Sequence, residues 1–476
     1  MEVTKINGVI AFVGMLVVAT CLAFLVIYLE ILGIAALFAL PIGVAFFYWI
    51  MQRPSNALDL TLICAFLAIG AIRYLSSIPL GLSVDFALIL AIVSAIFHTK
   101  IKTDFKKIKN SLMLVSIIWM AYNTAEIINP EARSMAAWFY AVRGTALYMI
   151  LTVPLTLLYA NKVKDLDRFI RFIMVFSVLA SLWGLRQYYI GLDGAENNWL
   201  DQGPRSTHVL FGNLRVFSFF SDAGQFGAGI AQAGLMAAIL ALGPYPIRTK
   251  LIYAALSLLF FYLMIISGTR GSLIVPVGGA MAFLFASKNF KIMLGGLIVL
   301  GIVFSFLKFS TIGQDNYQIR RMRSALDPND ASLNVRKENQ KKFKSYLQNR
   351  PFGGGIGTSG SWGQRFSPGT FLAETPNDSW YVKIWAEMGV VGLSLHLSIL
   401  LFIALMALLK IWKVKDRGLK QKLLALFAGY IGIILASYGN PILGQMPTGI
   451  VIYMSWAYFF LAPELDEELS EKKLLS

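Results

Sequence analysis

Long apolar segments recur along the whole chain and are separated by shorter polar ones. Segments such as 9–28 and 292–309 carry few or no charges, and a helix of about 20 such residues crosses the hydrocarbon core of a bilayer. The pattern predicts about fourteen transmembrane helices. They cover residues 9–28, 31–50, 57–74, 79–97, 111–128, 137–160, 169–190, 223–242, 251–267, 271–287, 292–309, 386–411, 423–437 and 448–463. Strand-like alternation is absent, so we predict an all-α polytopic membrane protein.

Two long polar stretches interrupt this pattern, and they define the predicted organisation of the chain. The larger, residues 311–385, contains a basic, helix-prone run from Ala331 to Asn349. Loops of this length in a compact protein usually carry function. We therefore expect four regions. They are residues 1–310, membrane helices with the smaller polar loop 191–222; 311–385, a partly helical loop with catalytic and binding elements; 386–463, the last membrane helices; and 464–476, a tail.

Composition agrees with a membrane protein, since 57% of the residues are hydrophobic and only 14% are charged. The net charge of +16 does not indicate a nucleic-acid partner, because many basic residues fall in alternate loops, as they do on the cytoplasmic side of membrane proteins. These residues are Arg53; Lys100, Lys102, Lys106, Lys107 and Lys109; Lys162, Lys164 and Arg168; Arg248 and Lys250; Lys288 and Lys291; and Lys413, Lys415, Arg417, Lys420 and Lys422. Both termini are then cytoplasmic, and loops 191–222 and 311–385 lie outside. The first apolar segment is interpreted as a retained span, not a cleaved signal peptide.

Arginines at the outer ends of the spans are the first candidates for chemistry. Arg270 lies between two spans in Ser-Gly-Thr-Arg-Gly-Ser, and Arg215 lies just before a span. Guanidinium groups bind phosphate oxygens bidentately, so an outer arginine cluster suits a lipid phosphate or diphosphate. Snorkelling to the membrane surface is the alternative for both residues. Arg143 and Arg186, within or near the ends of spans, are either further ligands or ion-pair partners.

The second half of the large loop supplies further candidates. After Arg350, the run Pro-Phe-Gly-Gly-Gly-Ile-Gly includes Gly355 and Gly357. Two interpretations are open for these glycines: their backbone N–H groups cradle a phosphate, or they form a plain turn. Thr375-Pro-Asn-Asp predicts a helix start, with Thr375 as N-cap and Asp378 as third helical residue. Asn377 and Asp378 would then face a site at that helix terminus.

The sequence gives little support for histidine, metal or cofactor chemistry. Its histidines are His98, His208 and His396, and none lies in the large loop. His396, inside a span, is interpreted as a packing residue. No cluster has metal-ligand spacing, and both Cys21 and Cys64 fall in apolar spans, so no metal, disulfide or cofactor is expected.

The order of these motifs resembles the O-antigen ligase and O-antigen polymerase superfamily. The resemblance rests on many spans, a late outer loop, the Arg-Pro-Phe-Gly-Gly-Gly-Ile-Gly turn, and Thr-Pro-Asn-Asp-Ser-Trp-Tyr followed by Ala-Glu-Met-Gly. It covers residues 210–395 as motifs. Arg215 resembles the family's first outer arginine, the segment around Arg270 its Ser-Arg-Gly element, and Arg336 the arginine ahead of the glycine turn.

The resemblance implies a GT-C-like architecture in the bacterial inner membrane. It also implies metal-independent glycosyl transfer, on the periplasmic face, from an undecaprenyl-diphosphate-linked oligosaccharide to a sugar hydroxyl. An acceptor glycan, membrane lipids and other polysaccharide-export proteins are the partners it suggests. Asp378 and Glu374 are the nearest candidates to assist the acceptor, and Arg336, Arg350 and Tyr381 are candidates for substrate binding. Ligases generally carry histidine before asparagine where this chain has Asn377 and Asp378, which favours a polymerase or a divergent transferase.

Three alternatives remain open. A ligase would transfer the glycan to lipid A core or to protein, and a flippase would move the lipid-linked glycan across the membrane. Transporters place their charged sites near the midplane, whereas the charge here collects at the outer surface. A purely structural membrane protein would explain the spans but not Arg270 or the long basic loop.

Overall fold

A computed structural model describes residues 41–97, 103–327 and 331–475, together with Thr20. Almost all of its regular structure is helical. The α-helices are α1, Pro41–Gln52; α2, Pro54–Ile72; α3, Ser83–Phe97; α4, Ser111–Ala125; α5, Met135–Val142; α6, Tyr148–Tyr159; α7, Val163–Tyr189; α8, Gly194–Asp201; α9, Arg205–His208; α10, Ala223–Ala241; α11, Ile247–Ile266; α12, Ile274–Ser287; α13, Phe290–Phe309; α14, Tyr317–Arg323; α15, Ala331–Leu347; α16, Gly360–Phe366; α17, Phe371–Glu374; α18, Trp380–Lys413; α19, Arg417–Ala436; α20, Thr448–Phe460; and α21, Ala462–Leu475.

Shorter elements join or extend these helices. Single 3-10 turns occur at Leu80–Leu82, Phe105–Ile108, Glu126–Ile128, Arg270–Leu273 and Ser324–Leu326, and a π-helical turn, Arg143–Leu147, links α5 to α6. Two short strands, β1 (Val209–Leu210) and β2 (Asn213–Leu214), pair antiparallel, with Val209 opposite Leu214. This hairpin lies in the smaller polar loop, just before Arg215.

The helices confirm an all-α polytopic membrane protein. Within the described ranges, eleven helices are long and apolar enough to cross a membrane, and each coincides with a predicted span from 57–74 to 423–437. The last predicted span, 448–463, corresponds to the shorter apolar helix α20 and the start of α21. The predicted span 9–28, apart from Thr20, lies outside the described residues, and of 31–50 only 41–50 is described.

The polar loops gather at one end of the helices, here called the site face. It comprises residues 190–222, 267–273, 310–327, 331–379 and 437–447. Hydrogen bonds join loops that are distant in sequence, such as Arg73 Nη1 to the Ser218 carbonyl at 2.6 Å and Trp380 N to the Ser437 carbonyl at 3.0 Å. Successive spans begin and end alternately at this face, so both long polar loops lie on the same side of the bundle.

The centre of the bundle is α10, whose sequence is rich in small residues. Most of its length is buried, and it packs against α11, α12 and α19. Its N-terminus opens at the site face, where the Asp222 carboxylate accepts hydrogen bonds from the N–H groups of Gly224 at 2.7 Å and Gln225 at 2.9 Å. In contrast, none of the α13 residues is buried, as suits a helix at the edge of the bundle.

A kink near the start of α18 holds the glycine turn of the large loop. Gly389 has φ 63° and ψ −166°, a conformation that only glycine adopts readily. A Cβ atom there would lie 1.9 Å from the Pro351 carbonyl oxygen, so glycine also permits the close approach of the turn. The kink exposes carbonyl groups of α18 to the turn, and Gly354 N and Gly355 N donate to the Ala386 and Glu387 carbonyls at 3.0 and 2.8 Å.

The segment 464–475, which the sequence predicts as a tail, is helical and packs against the bundle. It belongs to α21, which packs against α7, α18, α19 and α20 at the opposite face. Asp466 accepts hydrogen bonds from the backbone N–H groups of Lys415 at 2.9 Å and Asp416 at 2.8 Å, and Glu468 accepts one from Val163 N at 2.9 Å. Hydrogen bonds to the carboxylates of α21 therefore hold this helix against the opposite face of the bundle.

Candidate functional site

Three arginines meet at the site face around Gly268 and are here called the arginine cluster: Arg215, Arg270 and Arg321. Arg215 follows the β-hairpin, and its guanidinium joins two loops. Nη1 donates to the Thr207 carbonyl at 2.8 Å, and Nη2 donates to Thr269 Oγ1 at 2.9 Å. Arg215, predicted to lie just before a span, thus contacts the turn that carries Arg270.

Arg270 and Arg321 complete the cluster from different elements. Arg270 Nη1 donates to Ser324 Oγ at 3.2 Å, and Arg321 Nε donates to the Gly268 carbonyl. Gly268 has φ 60°, and a Cβ atom there would lie 3.3 Å from Arg215 Cγ and 3.5 Å from Arg321 Cδ. A glycine at this position thus lets two guanidinium groups approach one turn of backbone.

The cluster is an electropositive environment. Burial, followed by the positive charge of Arg321, lowers the pKa of Arg215 to about 10, whereas the nearby Asp222 raises it. Arg215 remains protonated at neutral pH. Its Nε is buried and has no hydrogen-bond partner among the described residues. A group that accepts hydrogen bonds and carries negative charge would be stabilised here.

An open cleft of about 410 Å³ lies beside the cluster. Arg321 and Ser324 belong to its lining, together with Arg320 and Tyr317 of α14 and with Phe211 and Asn213 of the β-hairpin. Basic and aromatic side chains thus border a space large enough for a diphosphate and part of a sugar. Sequence reasoning missed Arg321. The only signal was the run Arg320-Arg321-Met322-Arg323 early in the large loop.

A second, much smaller cleft has a volume of about 10 Å³ and is lined in part by Asn377; it is here called the Asn377 cleft. Its lining is Arg336, Asn339 and Gln340 of α15, Pro376, Asn377, Asp378 and Ser379, and Val382 of α18. Arg336 Nε lies 3.9 Å from Asp378 Oδ2, and both side chains are partly exposed. The structure thus brings Arg336, Asn377 and Asp378 together at a cleft with room for about one water-sized group.

The predicted helix start at Thr375 is wrong. The helix begins at Trp380, and Ser379 is the N-cap, with its hydroxyl oxygen 3.5 Å from Val382 N. Asp378 therefore lies before the helix and does not cap it. Tertiary hydrogen bonds explain the difference, because Asn377 Nδ2 donates to Ser359 Oγ at 2.8 Å and Trp380 N donates to the Ser437 carbonyl. These contacts outweigh the local capping preference of Thr375.

The glycine turn does not present the phosphate cradle that its sequence allowed. The N–H of Gly355 is already bonded to the Glu387 carbonyl. Gly355 and Gly357 have φ 90° and 82°, and a Cβ atom on them would lie 2.6 Å from Ala132 Cβ and 2.5 Å from the Ala137 carbonyl oxygen, respectively. Close packing against the 132–137 segment accounts for both glycines, which favours the alternative of a plain turn.

Five other candidate side chains already have partners. Arg143 binds Asp85 through Nε at 2.9 Å and Nη2 at 2.5 Å, away from the arginine cluster, which favours an ion-pair role. Arg350 Nε lies 3.2 Å from Glu131 Oε1. Tyr381 donates its hydroxyl proton to the Ile434 carbonyl at 2.6 Å, and Glu374 accepts from Gly369 N at 3.1 Å. Substrate binding by these residues stays a prediction. Arg186 likewise pairs with Glu196, at 2.8 Å.

The described histidines are structural. His396 accepts a hydrogen bond from Trp380 Nε1 at 2.9 Å and packs against the Trp119 ring, which confirms its interpretation as a packing residue. His208 is buried beside Trp199 and Phe217, and burial lowers its pKa. His98 lies outside the described residues. No group of three His, Cys, Asp or Glu side chains able to hold a metal ion occurs within the described ranges.

The N-terminus of α10 lies between the two clefts. On one side, Thr269 Oγ1 donates to the Ala223 carbonyl at 2.8 Å while it accepts from Arg215. On the other side, a Cβ atom on Gly224 would lie 2.4 Å from Asn440 Nδ2, and one on Gly439 would lie 3.9 Å from Arg336 Nη1. Polar groups around this terminus, here called the polar layer, therefore lie between the arginine cluster and Arg336 of the Asn377 cleft.

One family of known proteins is similar to part of this chain. A search of curated proteins found no match. Residues 255–397 match a family model described as O-antigen ligase. The matched segment runs from α11 to α18 and contains Arg270, Arg321, Arg336, Asn377 and the glycine turn, whereas Arg215 precedes it. Through this segment, which is about a third of its length, the chain is similar to O-antigen ligases.

Proposed function

We propose that the protein transfers a glycan from an undecaprenyl-diphosphate-linked oligosaccharide to a sugar hydroxyl at the site face, and that it thereby polymerises the repeat units of a surface polysaccharide. The observation that carries the proposal is the arginine cluster beside the 410 Å³ cleft, with the polar layer between this cluster and the Asn377 cleft. One cleft suits a diphosphate, and the other suits a hydroxyl group.

In the proposed step, the acceptor oxygen forms a bond to the anomeric carbon while the bond from that carbon to the diphosphate oxygen breaks. The diphosphate leaves with the electron pair, and the hydroxyl proton passes to a diphosphate oxygen. Negative charge thus grows on the leaving group, where Arg215, Arg270 and Arg321 are already in position. Preorganised donors of this kind stabilise such a transition state without reorganisation.

The polyprenyl tail requires an apolar surface next to the cluster. The site face is bordered by the ends of spans, and exposed apolar side chains occupy the outer half of α13, for example Val303, Phe304 and Phe309. In our proposal the tail lies along these helices in the bilayer while the diphosphate reaches the cluster. The arginines then act at the membrane surface, where the headgroup of the donor lies.

A polymerase is preferred to a ligase because Asn377 stands where the superfamily's ligases generally carry histidine. The ligase remains the second candidate, since the shared family model covers both activities. A flippase is disfavoured by the arginines, which gather at one face instead of the midplane.

Analysis of surface glycans from a deletion strain tests the proposal. A polymerase predicts single repeat units on an intact anchor, and complementation with the wild-type gene should restore the polymer. Accumulation of lipid-linked polymer would instead identify a ligase. Accumulation of lipid-linked single repeats on the cytoplasmic side alone would identify a flippase and contradict glycosyl transfer.

A further inference from the structure

A carboxyl group is buried beneath the Asn377 cleft. Glu387 lies in α18, two residues before the Gly389 kink, and none of its surface is exposed. Its Oε1 accepts a hydrogen bond from Ser359 Oγ at 2.7 Å, whereas Oε2 is buried without a hydrogen-bond partner among the described residues. A buried carboxyl group that is only partly satisfied costs stability, so its presence at this point calls for a role.

Glu387 connects to the cleft through a single hydroxyl group. Ser359 is also buried, with 1% of its surface exposed, and its Oγ accepts a hydrogen bond from Asn377 Nδ2 at 2.8 Å. The three side chains are here called the Glu387 chain: Glu387, Ser359 and Asn377. Only Asn377 reaches the cleft.

The direction of the hydrogen bonds in the Glu387 chain sets the orientation of the amide. A serine hydroxyl has one proton, and an ionised carboxylate can only accept. When Glu387 is ionised, Ser359 must donate to it, so Ser359 can only accept from Asn377. The NH2 group of Asn377 is thus turned towards Ser359, and its Oδ1, which accepts no hydrogen bond from the described residues, is left for a ligand in the cleft.

We propose that Glu387 and Ser359 are positioning residues for the acceptor, because they hold the carbonyl oxygen of Asn377 ready to accept a hydrogen bond from the acceptor hydroxyl group. This inference rests on the proposed glycosyl transfer. The hydroxyl proton engages Asn377 Oδ1 in the bound state, which turns a lone pair of the hydroxyl oxygen towards the donor. The space of about 10 Å³ at Asn377 fits one such group.

Protonation of Glu387 would reverse the chain. The carboxyl group would donate to Ser359, Ser359 would donate to Asn377 Oδ1, and the NH2 group would face the cleft, where it cannot accept a hydroxyl proton. Removal of the carboxylate should therefore weaken the productive binding of the acceptor. Other charged or titratable groups near the chain are Glu126 and Tyr122, the Arg350–Glu131 pair, and Arg336 with Asp378.

The test compares variants of the full-length protein in proteoliposomes that contain lipid-linked repeat units purified from the deletion strain. Ser359→Ala and Glu387→Gln remove the fixed direction of the chain, and each should raise the apparent KM for acceptor units and reduce transfer by about tenfold, the loss of one oriented hydrogen bond. Ser359→Thr keeps the hydroxyl group and should restore transfer.

Two controls separate misfolding from loss of positioning. Glu126→Gln changes a neighbouring buried carboxyl group that is bonded to Asn129 at 2.7 Å and not to Ser359, so it should keep the wild-type KM for acceptor units. Binding of undecaprenyl diphosphate, measured as thermal stabilisation, should be unchanged in Ser359→Ala and Glu387→Gln. A wild-type KM in both of these variants would overturn the inference, whereas absence of transfer by the wild-type protein would overturn the proposed function instead.

Discussion

The guanidinium group of Arg215 has two roles at the site face, one structural and one electrostatic. Arg215 hydrogen-bonds two loops and supplies charge to a cluster whose other members come from the α11–α12 turn and from α14. Burial and the positive charge of Arg321 both disfavour the protonated form of Arg215. An anion bound beside Arg215 would offset this electrostatic cost. Stored electrostatic cost of this kind is common at functional sites.

Replacement of Arg215 or Arg270 by lysine should leave the protein in the membrane but strongly reduce glycan transfer. Lysine keeps the charge and loses the planar fork that binds two oxygens at once. We expect a loss of about 2–4 kcal/mol of transition-state stabilisation, measured as polymer yield and length in the complemented deletion strain. Arg205→Lys is the matched control, since Arg205 lies in the same loop but is exposed and paired with Asp201 at 2.6 Å. Wild-type polymer from the Arg215 and Arg270 variants would contradict their assigned role.

Asp378→Asn should retain substantial activity and nearly full stability. Because Ser379 caps α18, the substitution removes no capping bond, and the half-exposed contact with Arg336 at 3.9 Å contributes at most about 1 kcal/mol. Ser379→Ala is the comparison, with an expected loss of about 1 kcal/mol in thermal or denaturant unfolding. A folded but inactive Asp378→Asn protein would show that Asp378 is the general base.

At the scale of elements, the junction between the glycine turn and α18 fixes the geometry of the Asn377 cleft. The turn lies on the carbonyl groups that the Gly389 kink exposes, and residues 358–359 follow directly. Ser359 therefore reaches Glu387 only because the turn docks closely. The packing of two elements thus determines a hydrogen bond at the site.

Gly389→Ala should destabilise this junction. The backbone conformation alone costs a non-glycine residue about 1–3 kcal/mol, and the added Cβ atom would also lie 1.9 Å from the Pro351 carbonyl oxygen. We expect less folded protein in membranes and reduced transfer, measured by size-exclusion chromatography in detergent and by polymer yield. Gly301→Ala in α13 meets open space and should be neutral or stabilising. Equal behaviour of the two variants would show that the kink is not required.

At the scale of the whole molecule, the twelve helices from α2 to α20 that correspond to predicted spans place every long polar loop at one face. Within the described ranges, the loops that carry the basic residues counted in the sequence lie at the other face. By the positive-inside rule, the site face should be periplasmic.

Cysteine labelling in intact cells checks this orientation. Ser206→Cys and Ser361→Cys, both exposed at the site face, should react with a membrane-impermeant maleimide without permeabilisation. Lys291→Cys, exposed at the opposite face, should react only after permeabilisation. The reverse pattern would place the site face in the cytoplasm and contradict transfer on the periplasmic side.

Local properties of the chain were sufficient to predict the membrane spans, the two polar loops and the presence of outer arginines. Hydropathy adds up over about 20 consecutive residues, so spans such as 223–242 and 423–437 are visible without knowledge of their neighbours. Resemblance to a family added the order of the loop motifs. Hydropathy and the order of motifs are both properties of the linear sequence, and together they predicted Arg215, Arg270 and Asn377 on the outer side.

Contacts between distant segments could not be predicted in this way. Arg321 joins the cluster because α14 folds back to Gly268, and Arg143 pairs with Asp85 at 2.5 Å. Helix α18 begins at Trp380 because Asn377 is held by Ser359 and Trp380 by Ser437. Hydrogen bonds depend on distances of about 3 Å and on direction, and those are set only when the helices pack. The orientation of Asn377 above Glu387 is therefore a property of the folded bundle.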